Sequence, residues 1–179
     1  MLKKNIVITG GTDGIGLALT KQLIDKNQNV FIIGRNESKG NAILNSLKNP
    51  NLEFFKCDLS ELSEIKKILI TLNNIKKIDV LINNAGAIFM DKTITDEGLE
   101  KTFALNHMSY FVLSNLFIES FNSIKVINVS SEAHRGTKLN LDDLQNNIGY
   151  FGWNAYKRSK LANIYLTYEL AKKHENKDI

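Results

Sequence analysis

A tyrosine and a lysine in the last quarter of the chain have the spacing of an acid/base pair. Tyr156 and Lys160 lie four positions apart in a segment with a helical pattern, which places both side chains on one face of a helix. A lysine ammonium beside a phenol favours the phenolate, and a tyrosine tuned in this way is an effective general acid/base. Ser131 follows an apolar run and offers a hydroxyl that can hydrogen-bond a carbonyl oxygen. Because Tyr-x-x-x-Lys is common on helix surfaces, the pair alone does not establish a reaction.

A glycine-rich turn follows the first apolar run of the chain. It reads Thr9-Gly10-Gly11-Thr12-Asp13-Gly14-Ile15-Gly16 and leads into a helical pattern. Gly10 and Gly14 can adopt backbone angles that other residues avoid, and their missing side chains let backbone amides approach a phosphate. Gly16 lets the helix pack close to the sheet. The spacing TGxxxGxG differs from GxGxxG, but its place between a strand and a helix predicts a dinucleotide pyrophosphate site.

The end of the second predicted strand indicates which dinucleotide is bound. An acidic residue there commonly holds the ribose 2′-hydroxyl of NAD, but this chain has Gly34-Arg35-Asn36. The guanidinium of Arg35 is a fork of donors suited to a phosphate, which favours NADP(H) over NAD(H). NAD(H) stays open as an alternative because Asp13 and Glu37 are close in sequence and would repel a 2′-phosphate.

Alternating strand and helix patterns must position these residues. The predicted strands are 5–9, 29–34, 52–57, 78–82 and 124–129. The predicted helices are 14–26, 37–47, 61–73 after an N-cap at Ser60, 96–121 and 154–174. Strands separated by helices of this length imply βαβ units, and right-handed crossovers fold them into an α/β, doubly wound parallel sheet of at least five strands. No break in composition marks a second domain, so residues 1–179 are expected to form one.

Composition and charge exclude several classes of protein. The 43% hydrophobic and 23% charged residues are ordinary for a folded domain, and no apolar run is long enough to span a membrane. The net charge of +4 comes from scattered lysines without interleaved aromatics, which argues against nucleic-acid binding. The single cysteine, Cys57, cannot form an intramolecular disulfide, and no metal-ligand spacing occurs. These features predict a cytoplasmic protein.

Taken in chain order, these motifs resemble the short-chain dehydrogenase/reductase family. The match includes the glycine-rich turn, Cys57-Asp58-Leu59, Asn83-Asn84-Ala85-Gly86, Asn106, Ser131, and Tyr156 with Lys160. The resemblance implies a Rossmann-like domain and hydride transfer between a nicotinamide and a carbonyl or alcohol carbon. Several motifs in the correct order are far more specific than any one of them.

The resemblance also assigns roles to individual residues. Tyr156 would be the general acid/base, Lys160 would assist it and bind the nicotinamide ribose, Ser131 would orient the substrate oxygen, and Asn106 would hold a water relay linked to the lysine. The cofactor would contact Gly10, Thr12, Asp13, Gly14, Ile15, Gly16, Arg35, Asp58, Leu59, Asn83, Ala85, Gly86, Tyr156 and Lys160. Asn83, Ala85 and Gly86 would also pin the fourth strand.

Longer segments resemble the retinol-dehydrogenase-like subgroup of this family. They are Asp96–Glu100, Phe103–His107, Val126–His134 and Ser159–Asn163. The subgroup commonly uses NADP(H) and suggests a hydrophobic alcohol, aldehyde or ketone as substrate, with Tyr150, Phe151 and Trp153 as candidate pocket walls. Family members often form dimers or tetramers through two long helices, which predicts a homo-oligomer here.

Two departures from the family pattern favour a C-terminally incomplete chain. The sequence stops just after the tyrosine helix, whereas family members continue with further strands and a substrate-binding segment. The fifth strand also reads as buried on both faces, yet it would lie at a sheet edge. The alternatives are therefore a non-catalytic dinucleotide-binding protein or an inactive fragment of a dehydrogenase, and a lyase, epimerase or isomerase on the same scaffold. The last group more often carries a TGxxGxxG turn, which is lacking here.

Overall fold

Five parallel strands form a single sheet in the computed structural model, which describes residues 2–72 and 74–175. The strands are β1 (Asn5–Thr9), β2 (Asn29–Gly34), β3 (Leu52–Lys56), β4 (Val80–Asn83) and β5 (Lys125–Asn128). Their order across the sheet is β3-β2-β1-β4-β5. The chain therefore winds outward from β1 in one direction and then restarts on its other side at β4, which opens a crevice at the carboxyl ends of the strands.

Helices cover both faces of this sheet. They are α1 (Gly14–Asp25), α2 (Glu37–Leu47), α3 (Leu62–Leu72), α4 (Lys101–Phe103), a π-helical turn (Ala104–Met108), α5 (Ser109–Ser120) and α6 (Gly152–Lys173). One core cluster packs α1 and α2 against the sheet through Ile24 and Ile43. The other packs α3, α5 and α6 through Leu69, Leu113 and Leu166. These two layers confirm the predicted doubly wound parallel sheet.

The long helix predicted from Asp96 begins later than its sequence pattern indicates. Residues 94–100 instead form a tight turn, closed by an antiparallel bridge between Ile94 and Glu100. Gly98 adopts a φ of 80° in this turn, a conformation that no residue with a side chain readily accepts. Helix α4 then starts at Lys101, because the Glu100 carboxylate accepts hydrogen bonds from the amides of Thr102 and Phe103.

The N-cap predicted at Ser60 is also wrong. Helix α3 begins at Leu62, and its first amides are bonded by a distant side chain. The Glu97 carboxylate accepts hydrogen bonds from Leu62 N at 2.7 Å and from Ser63 N at 2.8 Å. Ser60 turns its hydroxyl to Asp58 Oδ1 at 2.6 Å instead. The predicted last residue of this helix, Asn73, lies outside the described residues.

Strand β5 forms one edge of the sheet and is not buried on both faces as its sequence suggests. Lys125 is exposed and Ile127 is 39% exposed. Within the described residues, β5 is hydrogen-bonded to β4 alone. Among residues 2–72 and 74–175, no helix combines the length and the apolar character needed to cross a bilayer.

Candidate functional site

A cleft of about 670 Å³ runs along the carboxyl ends of the strands. It lies where the order of the strands places a ligand crevice in an open α/β sheet. Most of the predicted site residues line it: Gly10, Thr12, Asp13, Gly14, Ile15, Gly16, Arg35, Asp58, Leu59, Ala85, Gly86, Ser131, Tyr156 and Lys160. Asn83 and Asn106 stand outside this lining, and both are fully buried.

The glycine-rich turn leaves the backbone bare at the start of α1. Gly10 and Gly14 have φ angles of 68° and 49°, and a Cβ on Gly14 would meet nothing within 4 Å. A Cβ on Gly16 would lie 2.2 Å from the Gly10 carbonyl oxygen, so no side chain is tolerated there. Asp13 caps the helix by accepting from Gly14 N at 2.8 Å. An exposed helix N-terminus beside open space has the shape and polarity of a pyrophosphate cradle.

Asn84, which the sequence reasoning passed over, ties this turn to the loop after β4. Its side chain donates to the Thr9 carbonyl at 2.9 Å. The Thr9 hydroxyl oxygen accepts from the amides of Asn84 and Ala85 at 2.8 and 3.0 Å. These bonds hold two walls of the cleft at a fixed separation. In the sequence, the Asn-Asn-Ala-Gly motif is the feature that points to Asn84. The motif alone does not show which of its two asparagine side chains bonds the glycine-rich turn.

Asp58 and Cys57 follow β3 on the opposite wall of the cleft. Burial opposes ionisation of Asp58, but hydrogen bonds from Ser60 and the positive charges of Arg35 and Lys101 lower the pKa of its carboxyl. Burial, with the nearby charges of Glu64 and Asp58, raises the pKa of the Cys57 thiol to about 12. Asp58 is therefore an anion at neutral pH and Cys57 an unreactive thiol.

A cationic end closes the cleft beyond the end of β2. Arg35 and Lys39 line it, and Lys39 was not predicted from the sequence. The Lys39 ammonium pairs with the Asp13 carboxylate at 2.6 Å, and Lys56 pairs with Glu37 at 3.0 Å. The two carboxylates expected to repel a 2′-phosphate are thus each neutralised by a lysine.

Tyr156 and Lys160 line the other end of the cleft from α6. Lys160 Nζ lies 5.8 Å from the centre of the Tyr156 ring and donates to the Val129 carbonyl at 3.1 Å. Lys160 is only 3% exposed, and this burial lowers the pKa of its ammonium to about 8. Trp153 stacks on Tyr156 with a ring separation of 5.6 Å, which fixes the phenol on its outer side.

Ser131 lines the same cleft, because side-chain hydrogen bonds join the end of β5 to α6. Ser130 Oγ donates to the Lys160 carbonyl at 2.8 Å, so the strand end follows the helix closely. Ser131 Oγ accepts from Ala133 N at 3.2 Å, which leaves its own proton free to donate into the cleft.

Asn106 supports this end of the cleft from behind. Its Oδ1 accepts from Ala87 N at 2.9 Å, while its Nδ2 donates to the Ala87 carbonyl at 2.9 Å and to Ser159 Oγ at 3.1 Å. A Cβ on the neighbouring Gly86 would lie 3.2 Å from Lys160 Nζ and 3.3 Å from Asn106 Oδ1. The side chain of Asn106 is therefore committed to bracing the loop after β4.

Asn83 pins the fourth strand. Its Nδ2 donates to Ser114 Oγ at 3.0 Å and to Asn128 Oδ1 at 2.8 Å, which joins β4 to α5 and β5. Tyr150 also turns inward, since its hydroxyl donates to the Phe89 carbonyl at 2.8 Å. Of the three aromatic residues considered as pocket walls, Phe151 and Trp153 stay exposed, at 53% and 42%.

A sequence model of the family described as short chain dehydrogenase matches residues 4–179.

The chain belongs to the short chain dehydrogenase family.

Its relatives also confirm the predicted retinol-dehydrogenase-like subgroup. Human polyprenol dehydrogenase is 37% identical over 176 residues, which cover 92% of this chain and 53% of the relative. Mouse retinol dehydrogenase 12 is 35% identical over 188 residues, which cover 95% of this chain and 56% of the relative. The chain thus spans about half the length of these relatives.

Solved structures of the same family share the fold. The structure of an uncharacterised protein from Mycobacterium paratuberculosis superimposes with a TM-score of 0.89 and 31% identity. The superposition covers 98% of this chain and 65% of that one.

Proposed function

We propose that this short chain dehydrogenase transfers hydride between NADP(H) and a carbonyl or alcohol substrate. One observation carries the proposal: Tyr156, Lys160 and Ser131 meet at one end of a cleft whose other end holds Arg35 and Lys39. A cleft of about 670 Å³ is in the size range of ligand pockets. The bare glycine turn between its two ends suits the pyrophosphate that joins the two halves of a dinucleotide.

Each polar group at the catalytic end has one task in the proposed reaction. The Tyr156 hydroxyl gives a proton to the substrate oxygen during reduction and takes it back during oxidation. The Ser131 hydroxyl donates a hydrogen bond to the same oxygen and fixes its position. The Lys160 ammonium lies beside the Tyr156 ring and lines the cleft, where it can hold a ribose hydroxyl. The nicotinamide, when bound, supplies or accepts the hydride.

The preference for NADP(H) is supported by the cationic end of the cleft. Arg35 presents a planar fork of donors, and Lys39, in the same lining, neutralises the Asp13 carboxylate. The adjoining depression contains Lys56 beside Arg35 and Asn36. Three carboxylates also line this depression, and each has a partner: Glu37 pairs with Lys56, Asp58 accepts hydrogen bonds from Ser60, and Glu64 accepts from Asp58 N. The guanidinium of Arg35 is therefore the group that we propose for the 2′-phosphate.

The substrate we propose is an apolar alcohol, aldehyde or ketone. Trp153 and Phe151 are exposed beside Tyr156, and Met90, in the loop after β4, is 63% exposed. The Met90 backbone lies against the start of α6, 2.8 Å from the point where a Cβ of Gly152 would stand. Two relatives are named for polyprenol and retinol, which are long apolar alcohols. A homo-oligomer and a cytoplasmic location, both predicted from the sequence, belong to the same proposal.

Turnover of a panel of apolar aldehydes and ketones with NADPH tests the proposal. We expect reduction by the full-length protein and a loss of about 10²- to 10⁴-fold in kcat for Tyr156→Phe, because the variant lacks the acid/base group. Tyr165→Phe, on the exposed side of the same helix, is the matched control and should keep full activity. Binding of NADPH without turnover in the full-length protein would favour a non-catalytic dinucleotide-binding protein.

A further inference from the structure

A buried asparagine on α6 continues the row of side chains that begins with Tyr156 and Lys160. Asn163 lies three positions beyond Lys160 and is 0% exposed. Its Nδ2 donates to the Asn106 carbonyl at 2.8 Å, and its Oδ1 lies 3.0 Å from Nδ1 of His107. Both partners belong to the π-helical turn, so a single side chain joins α6 to that turn at two adjacent residues.

The π-helical turn needs partners of this kind because its wider winding shifts the regular helix hydrogen bonds. The amide of Ser109 bonds the Ala104 carbonyl, five positions back. The Leu105 carbonyl accepts from Ser109 Oγ at 2.6 Å, and the Asn106 carbonyl accepts from Asn163. Two consecutive carbonyls of the turn thus receive side-chain donors, which stabilises a winding that is rare in helices and frequent at functional sites.

The Asn163 amide has one orientation that satisfies both neighbours. Since its NH₂ group donates to the Asn106 carbonyl, its oxygen faces His107 and must accept a proton from Nδ1. His107 is then the neutral ring protonated on Nδ1. Burial lowers the pKa of His107 and outweighs the opposing hydrogen bond to Asn163, in agreement with a neutral ring.

The π-helical turn supports the catalytic end of the cleft. Asn106 projects from the turn and brackets Ala87 through both backbone groups of that residue. It also bonds Ser159, the residue directly before Lys160. A displacement of the turn would therefore move the loop after β4 relative to the face of α6 that carries the acid/base pair.

We propose that Asn163 is a positioning residue for the reaction: it locks the π-helical turn to α6 and so keeps Asn106 and the loop after β4 in register with Lys160. The inference rests on the proposed function, since it concerns the same site. It extends that function to a side chain that lies outside the cleft lining.

Asn163→Asp in the full-length protein tests this role. The carboxylate matches the amide in shape but cannot donate to the Asn106 carbonyl, which it repels. We expect kcat to fall about 10- to 100-fold, as for other groups that orient a catalytic residue. The Kd for NADPH and the KM for substrate should change little, because the residue touches neither. The control is Asn115→Asp on α5, since Asn115 also donates to a helix carbonyl, that of Phe111 at 2.8 Å.

Two outcomes of the kinetic comparison would overturn the role. One is a kcat for Asn163→Asp within twofold of the unchanged protein. The other is a parallel loss of Tm, NADPH affinity and kcat, which marks a general structural defect. If Asn163→Asp does not fold, His107→Phe takes its place, because it keeps a ring and leaves the bond between Asn163 and Asn106. We expect a smaller loss of kcat in that variant, about two- to tenfold, and an unchanged kcat would contradict the proposal.

Nuclear magnetic resonance separates this inference from the proposed function. The ¹⁵N spectrum of the unchanged protein should show His107 protonated on Nδ1, and protonation on Nε2 would refute the arrangement. If no substrate is turned over, the proposed function fails and the titration of Lys160 becomes the readout. A shift of that titration in Asn163→Asp but not in Asn115→Asp supports positioning, and no shift in either variant overturns it.

Discussion

Two carboxylates around the cleft are each paired with a lysine. Lys39 and the Gly14 amide bind the Asp13 carboxylate, and together they lower its pKa. Lys56 likewise neutralises the Glu37 carboxylate. With both carboxylates paired, Arg35 is the residue at the end of β2 that we propose to bind the 2′-phosphate of NADP(H). Asp58 and Glu64 lie in the same region.

Removal of Lys39 should therefore weaken NADPH more than NADH. The comparison is best made in an Asp13→Asn background, because that change keeps the helix cap and avoids leaving an unpaired carboxylate. We expect added Lys39→Ala to raise the Kd for NADPH about three- to tenfold and the Kd for NADH less than twofold, with the difference shrinking as salt is added. Fluorescence titration measures both values.

Lys67→Ala, which removes an exposed lysine from α3, is the matched control for that titration. An equal loss of affinity for NADPH and NADH in the Lys39 variant would show that Lys39 does not recognise the 2′-phosphate.

At the scale of the elements, two helical segments are held by side chains from distant parts of the chain, and a third by the residue just before it. Glu97 caps α3, Glu100 caps α4, and Asn163 supports the π-helical turn. The tight turn at Gly98 keeps Glu97 out of the helix in which the sequence predicts it. The same seven-residue turn thus leads into α4 within the connection from β4 to β5 and caps the start of α3.

Glu97→Gln should lower stability in a pH-dependent manner. The hydrogen bonds from Ser63 and Leu62 lower the pKa of this carboxyl below its ordinary value of 4.5. Its contribution is therefore fully present above that value and is lost as pH falls through the depressed pKa. We expect a Tm about 2–4 °C below that of the unchanged protein at pH 7, with the gap closing toward pH 3.

Thermal melts of both proteins between pH 7 and pH 3 make this measurement. Glu53→Gln, on the exposed face of β3, should leave Tm unchanged. A gap for Glu97→Gln that stays constant across this range would mean that the carboxylate charge does not stabilise α3.

At the scale of the whole molecule, exposed aromatic side chains lie on two helices of the same layer, α5 and α6. The outer faces of α5 and α6 carry Phe111, Tyr165 and Tyr168, which are 45%, 53% and 71% exposed. Aromatic residues grouped on helix surfaces are characteristic of interfaces between protein chains. They lie on the two long helices through which the sequence predicts a homo-oligomer.

Tyr168→Glu should accordingly weaken self-association, because it would place a charge inside an aromatic contact. Sedimentation velocity should show a dimer or tetramer for the unchanged protein and a shift toward monomer for the variant. Leu141→Glu, which changes a residue 78% exposed in the segment before α6, is the control and should sediment like the unchanged protein. A monomer at all concentrations of the unchanged protein would contradict the prediction.

Features that depend on neighbours along the chain follow from the amino-acid sequence alone. Strand β2 and helix α2 have the bounds that their patterns predict, because apolar runs and helix caps act locally. The glycines of the first turn and the four-residue spacing of Tyr156 and Lys160 are likewise local. Three contacts depend on tertiary packing instead. Glu97 caps α3 at Leu62 across 35 positions, Lys39 pairs with Asp13 across 26, and Asn163 bonds Asn106 across 57. Such pairs follow from how layers pack and leave no period in the sequence, so the supports of the site emerge only once the sheet and its helices are in place.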